Sequence, residues 1–291
     1  MQRVYDWERA VGQIDDVLHD QVLVVRLAGS GANAITRDMA ASLEEIAGRA
    51  SPSRNVRVLL ITGAYGNAFC AGSNIGELAR LRSEGKGPGP LLEAEARAFQ
   101  AIADLNIPTI AAIQGVAMGG GLELAMCCDF IVAAEDARIS FPEIFLGVFP
   151  ALGGTVRLQQ RIGEGRAREM LMLGSEIDGK RACEWGLVTR AVPHTDVYRE
   201  ARALADQLAA APTAAIAEIK RSLRLAREVS EKEAIAAALA AAIQHSDSPE
   251  VAEGLRAFAA KEKPDFISLS VGSPAPTLLH PIAGRSRTKR S

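Results

Sequence analysis

Two glutamates stand twenty positions apart, each inside a short motif that could aim it at a small polar site. Glu123 follows a glycine run in Gly119-Gly120-Gly121-Leu122-Glu123-Leu124-Ala125-Met126. Glu143 lies in Ser140-Phe141-Pro142-Glu143-Ile144-Phe145-Leu146-Gly147. Two carboxyls can divide the work of taking and giving a proton when their surroundings push their pKa values apart. Adding water to a double bond needs both jobs at once. The glycines ahead of Glu123 add a third element, bare backbone N–H groups that can face developing negative charge.

Each motif also has a plainer reading. A glycine triplet can be a tight turn that needs positive φ. A glutamate in the first turn of a helix is favoured by the helix dipole alone, by up to about 1 kcal/mol. Ser140 and Glu143 have the S-x-x-E spacing of a capping box. Either glutamate alone reads as structural. Their joint appearance with Gly72 and the glycine triplet shifts the balance toward chemistry. The glycine spacing is not G-x-G-x-x-G, so it is no dinucleotide fingerprint.

The elements that must position these groups follow from the pattern. Val11 to Val17, a turn at His19-Asp20-Gln21 and Val22 to Leu27 read as a hairpin. Gly29-Ser30-Gly31 is a loop, and Met39, Leu43, Ile46 and Ala50 carry helical spacing. The run Val56 to Thr62 reads as a strand buried on both faces. Residues 84–90, Glu-Gly-Lys-Gly-Pro-Gly-Pro, are expected to hold neither helix nor ladder and to form a mobile surface loop. A helix is expected over Leu91–Leu105, and strands over Thr109–Ile113, Phe130–Ala133 and Arg138–Ser140. From Val197 to Ala260 the chain is alanine-rich and helical, with Pro212 at a helix start. The expected division is a core over 1–195, a helical region over 196–266 and a disordered basic tail over 267–291.

Composition narrows the classes. The 291 residues are 48% apolar with a formal net charge of −2. A sizeable core is available, and the basic excess of a nucleic-acid or membrane-surface protein is missing. Cys70, Cys127, Cys128 and Cys183 form no C-x-x-C pair, so free thiols in a reducing, cytoplasmic setting are expected. Met1 to Ala10 carries Asp6 and Glu8 and no apolar run, so a signal or transit peptide is not expected. No apolar stretch approaches the ~20 residues of a spanning helix.

The stretch from Phe69 to Ala191 resembles the crotonase superfamily, most closely the enoyl-CoA hydratases. The matching pieces are Phe69-Cys70-Ala71-Gly72-Ser73-Asn74-Ile75 and Pro108 to Gly115, then Gly119 to Ala125 with Cys128-Asp129. Phe141-Pro142-Glu143-Ile144 with Leu146-Gly147 follows, then Pro150 to Thr155 with Arg157-Leu158, and Ala182 to Val188. Weaker similarity extends to about residue 266.

The resemblance implies an α/β fold, a crotonase-like spiral of repeated β-β-α turns with C-terminal helices that assemble homo-trimers or homo-hexamers. It implies an acyl-coenzyme A substrate and no metal or other cofactor. Glu123 and Glu143 match the two catalytic glutamates. The oxyanion hole carries over onto the N–H groups of Ser73 and Gly120, with Ala71, Gly72, Asn74, Ile75 and Gly76 as the adjoining substrate-binding segment. Phe258 and Lys261 match positions that contact the nucleotide end of coenzyme A from a neighbouring subunit. Two departures stand out. Ser73-Asn74 replaces the alanine–aspartate common in hydratases, and Gly29 to Ile35 lacks the usual arginine–proline opening while keeping Asn33-Ala34. The expected reaction is hydration of a trans-2-enoyl-CoA. A Δ3,Δ2-enoyl-CoA isomerase, which needs one carboxylate, is the alternative. A noncatalytic acyl-CoA-binding or RNA-associated relative is a third, which both the retained glutamates and the slight acidic balance disfavour.

Overall fold

The computed structural model describes residues 13–51, 53, 55–64 and 68–271. The first described element is a hairpin, β1 (Gln13–His19) paired antiparallel with β2 (Val22–Ala28). Asp20 and Gln21 both have positive φ, 46° and 64°. That is the geometry of a two-residue turn whose twist matches its strands. A short turn, α1 (Ser30–Asn33), contains left-handed Gly31 and Ala32. Helix α2 (Arg37–Ala50) follows, capped by the Thr36 hydroxyl on the Met39 N–H. Its buried residues include Met39, Leu43, Ile46 and Ala50, the set its spacing announces.

Three successive strand pairs then build two sheets at once. β3 (Val58–Gly63), β5 (Thr109–Ile113) and β7 (Phe130–Ala134) join β2 in the large sheet. β4 (Ala68–Cys70), β6 (Val116–Met118) and β8 (Arg138–Ser140) form a small sheet of their own. β9 (Arg190–Val192) closes the large sheet, whose order is β1-β2-β3-β5-β7-β9. Apart from the hairpin, the described strands pair in parallel, with one isolated antiparallel bridge between Ile139 and Ile177. Each turn of chain therefore gives one strand to each sheet and then a helical segment, which is the repeated β-β-α spiral.

The central strands β3, β5 and β7 are apolar along nearly their whole length because both faces are covered. α2 packs with α4 (Gly89–Ala103), while α9 (Val197–Ala209) lies against β3, β5 and β7. Val197, Ala201, Leu204 and Ala205 form its buried stripe. α4 corrects the expectation for residues 84–90. The loop after α3 (Ile75–Ser83) ends at Pro88, and Gly89 and Pro90 already lie in the first helical turn, where proline loses no hydrogen bond.

The last helices are α10 (Thr213–Leu225), α11 (Glu231–His245) and α12 (Pro249–Ala260). Pro212 is the N-cap residue of α10. Lys220 fastens α10 to the core by bonding the Asp129 carboxylate at 2.5 Å and the Ile107 carbonyl at 2.8 Å. Asp129 also accepts from the N–H and hydroxyl of Thr109. Buried Arg57 donates to the carbonyls of Ala209 and Ala211 at the end of α9. Chain order extends past residue 266 as a short 3-10 turn, Ser268–Val271. The rest of the expected tail lies outside the described residues. No helix among them is long and apolar enough to cross a membrane.

Candidate active site

The three strands of the small sheet are parallel, so their C-terminal ends share one edge. β4 delivers Ala71-Gly72-Ser73, β6 delivers Gly119-Gly120 and β8 delivers Phe141-Pro142-Glu143. Carboxyl ends of parallel strands are where open α/β sheets place ligands. All the expected core site residues converge there from one topological cause.

Ser73 is held by a backbone ladder to the segment before α2. Ile35 N–H donates to the Gly72 carbonyl and Asn74 N–H to the Ile35 carbonyl, both at 2.8 Å. Gly72 has φ +99°, and a Cβ there would come within 3.0 Å of the Met118 carbonyl and 3.1 Å of the Gly120 nitrogen. A Cβ on Gly120 would lie 3.4 Å from the Ser73 nitrogen. The two N–H groups are thus close neighbours, and neither donates to a partner among the described residues. A polarised oxygen could accept from both.

Glu123 projects from α5 (Gly120–Met126) and is 2% exposed. Its Oε1 accepts from the N–H groups of Leu152 and Gly154, each at 2.7 Å. Gly154 starts α6 (Gly154–Ile162) and Leu152 lies in the turn just before its cap, so the carboxylate rests at the positive end of a second helix. Burial pushes the Glu123 pKa up, and the two N–H bonds and Arg157 pull against it.

Glu143 lies on a 3-10 turn, Pro142–Leu146. The capping box suggested by S-x-x-E spacing does not form. Phe141 occupies the cap position, without a side-chain bond, and the Ser140 carbonyl instead accepts from Gly119 N–H at 3.1 Å. Glu143 is free to turn toward Gly119. Its Oε2 is buried without a hydrogen-bond partner among the described residues. Burial first, and the charge of Glu123 second, push its pKa up to about 7. The two carboxyls therefore differ in kind. One is anchored by backbone donors, and the other is unanchored at one oxygen and ready to hold a proton near neutrality.

The other expected residues are placed unequally. Ala71 N–H donates to the Ala32 carbonyl, which fixes the strand end. Asn74 spends its side-chain oxygen as the N-cap of α3, accepting from Glu77 N–H at 2.9 Å. Asparagine caps as well as aspartate, so this departure leaves the helix start intact. Ile75 is 59% exposed, and Gly76 packs near the Asn74 amide. Phe258 is 84% exposed, and Lys261 is an exposed left-handed cap of α12. Within one chain neither bonds to the carboxyl pair.

Sequence reading missed Glu95 on α4. It is wholly buried, and its Oε2 bonds the Ser73 hydroxyl at 2.8 Å. Burial first pushes its pKa up to about 8, with Glu123 and Glu77 adding to the shift and the Ser73 bond opposing it. The signal was present. Leu91, Ala94, Ala98, Phe99 and Ile102 form the buried stripe of α4, and Glu95 sits on it.

Known proteins resemble this chain in sequence and fold. The family signature for enoyl-CoA hydratase/isomerase matches residues 18–268. A carnitinyl-CoA dehydratase of Proteus mirabilis (strain HI4320) is 34% identical over 252 residues, covering 84% of this chain and 94% of that protein. A probable enoyl-CoA hydratase of Bacillus subtilis (strain 168) is 32% identical over 246 residues, covering 84% and 95%. The crystal structure of an enoyl-CoA hydratase from Polaromonas sp. JS666 superposes with a TM-score of 0.83 at 30% identity, over 87% of this chain and 99% of that one. The strand-end carboxyl pair, the spiral that carries it and these likenesses agree: the chain belongs to the enoyl-CoA hydratase/isomerase family of the crotonase superfamily.

Proposed function

We propose that the protein adds water to a trans-2-enoyl-CoA to give a 3-hydroxyacyl-CoA. The observation that carries this reading is the pair of unequal carboxyls, buried Glu123 and half-buried Glu143, beside the N–H groups of Ser73 and Gly120, which have no partner among the described residues. Glu123, held as a carboxylate by two N–H groups, takes a proton from water. The water oxygen bonds C3, and the C2=C3 electron pair shifts to give an enolate whose thioester oxygen lies between the two N–H groups. Glu143 then delivers its proton to C2, and proton exchange with solvent resets the two carboxyls. Removing an oxyanion donor costs ~10²–10³ in rate, and acid–base work contributes ~10²–10⁴. No group beyond the coenzyme A of the substrate is required. Dehydration is the same path reversed, and the name of the Proteus relative fits that direction.

A neighbouring copy is part of the proposal. Ile219, Leu223, Ile235, Leu239 and Ile243 are exposed on α10 and α11, an apolar face that subunit contacts in a trimer or hexamer would cover. Phe258 and Lys261 then serve the nucleotide end of coenzyme A bound across that contact. Free thiols at all four cysteines suit a reducing cytoplasmic compartment. The test is a crotonyl-CoA hydration assay, followed by loss of enoyl-thioester absorbance. Turnover supports the reading, and no turnover on any 2-enoyl-CoA, with migration of a 3-enoyl double bond instead, replaces it with the isomerase.

A further inference from the structure

Glu95 is a buried carboxyl that the hydration chemistry above does not use. It takes part in one hydrogen bond, to the Ser73 hydroxyl, and its Oε1 is buried with no partner among the described residues. Buried polar atoms are nearly always paired with protein, water or ligand, so an orphan oxygen beside the proposed oxyanion pair offers a polar group of the substrate a place to bond. Its position is defined from two sides. The Ser73 hydroxyl lies 3.4 Å from the place a Cβ on Gly120 would take, so the Glu95–Ser73 bond reaches the oxyanion pair itself. The carboxyl also feels the charge of Glu123, the proposed base. Glu95 is thus bracketed by the groups that hold the thioester oxygen and the attacking water.

The geometry points to Glu95 as a specificity residue that hydrogen-bonds a hydroxyl group carried on the acyl chain of the substrate. This rests on the acyl-CoA reading of the site. A hydroxyl is the fitting partner because it both donates and accepts. A neutral carboxylic acid has one oxygen of each kind. If Ser73 donates to Oε2, then Oε1 carries the proton and needs an acceptor. If Oε2 donates to Ser73, then Oε1 needs a donor. A hydroxyl satisfies either arrangement, an alkyl chain satisfies neither, and a cation would need an ionised carboxylate. Burial and the neighbouring Glu77 and Glu123 favour the neutral form.

The test uses binding of unreactive saturated acyl-CoA thioesters to the full chain, so it does not depend on hydration. Matched thioesters with and without a hydroxyl on the acyl chain beyond C3, and one with an ammonium group there, are compared by calorimetry. Wild type should prefer the hydroxylated chain by about tenfold or more. E95L should abolish or reverse that preference, and E95Q, which keeps a donor and an acceptor, should retain it. Equal binding of hydroxylated and plain chains by wild type overturns the assignment even if E95L does not fold. Preference for the ammonium chain overturns it too. Failure of wild type to bind any acyl-CoA would instead bring down the acyl-CoA reading, and with it this one.

Discussion

The Glu143 carboxyl rests against the Cα of Gly119. A Cβ at that position would lie 2.7 Å from Oε1 and 3.3 Å from the carboxyl carbon. Gly119 also holds φ 51° and ψ −127°, a conformation that side chains avoid. One glycine therefore both starts the helix that carries Glu123 and opens the space that Glu143 fills.

Gly119→Ala should cost about 1–3 kcal/mol through the strained backbone and should lower kcat by more than ~10² by displacing Glu143. Denaturant titration and steady-state hydration kinetics check the two parts. A stable variant with normal kcat would show that the close contact is incidental.

The pH profile of kcat should be bell-shaped. Activity falls as pH rises through about 7, because Glu143 loses the proton it must deliver. It falls again in acid, where Glu123 is protonated. A buried carboxyl whose folded pKa is raised contributes stability that is present below its unfolded value near 4.5 and lost as pH rises through the folded value. For Glu95 that window ends at about 8. Glu95→Gln should therefore match wild type in thermal stability near pH 4 and exceed it by at least a few degrees at pH 9. Parallel melting curves at the two pH values would contradict the neutral-acid assignment.

Much of this was legible before the fold was known. Glu123, Glu143, Gly72 and Gly120 announce themselves because each sits in a motif local in sequence. The parallel small sheet converts those separate motifs into one edge. What stayed hidden depends on contacts across long separations. Glu95 meets Ser73 across 22 positions, and Arg57 meets Ala211 across 154. The segment Leu152 to Gly154 matched a family motif, yet its role as the backbone seat of Glu123 appears only when α6 comes to face α5. The plainer capping-box alternative for Ser140 and Glu143 does not form, because Pro142 opens a 3-10 turn in place of a capped α-helix.

Lys220→Met should remove a buried cation from Asp129, whose side chain is 29% exposed, and leave that carboxylate to Thr109 and solvent. A loss of about 1–2 kcal/mol is expected, less than for a fully buried pair. Because Lys220 fastens α10, sedimentation should also show weakened assembly. Unchanged stability would mean that apolar packing alone docks the helix.

Truncation after Phe266 should preserve assembly and a near-normal KM. Lys261→Ala should raise KM for a full coenzyme A thioester several-fold and much less for a pantetheine thioester, which lacks the nucleotide phosphates that an ammonium would pair with. Equal changes for both substrates would remove Lys261 from that role.

The central claim is that Glu123 and Glu143 divide the proton transfers of enoyl-CoA hydration. The direct measurement is the crotonyl-CoA hydration rate of wild type, Glu123→Gln and Glu143→Gln, with melting temperatures recorded alongside. Each amide variant should lose at least ~10² in kcat while staying folded. If either folded variant hydrates crotonyl-CoA at the wild-type rate, the two-carboxyl account is wrong.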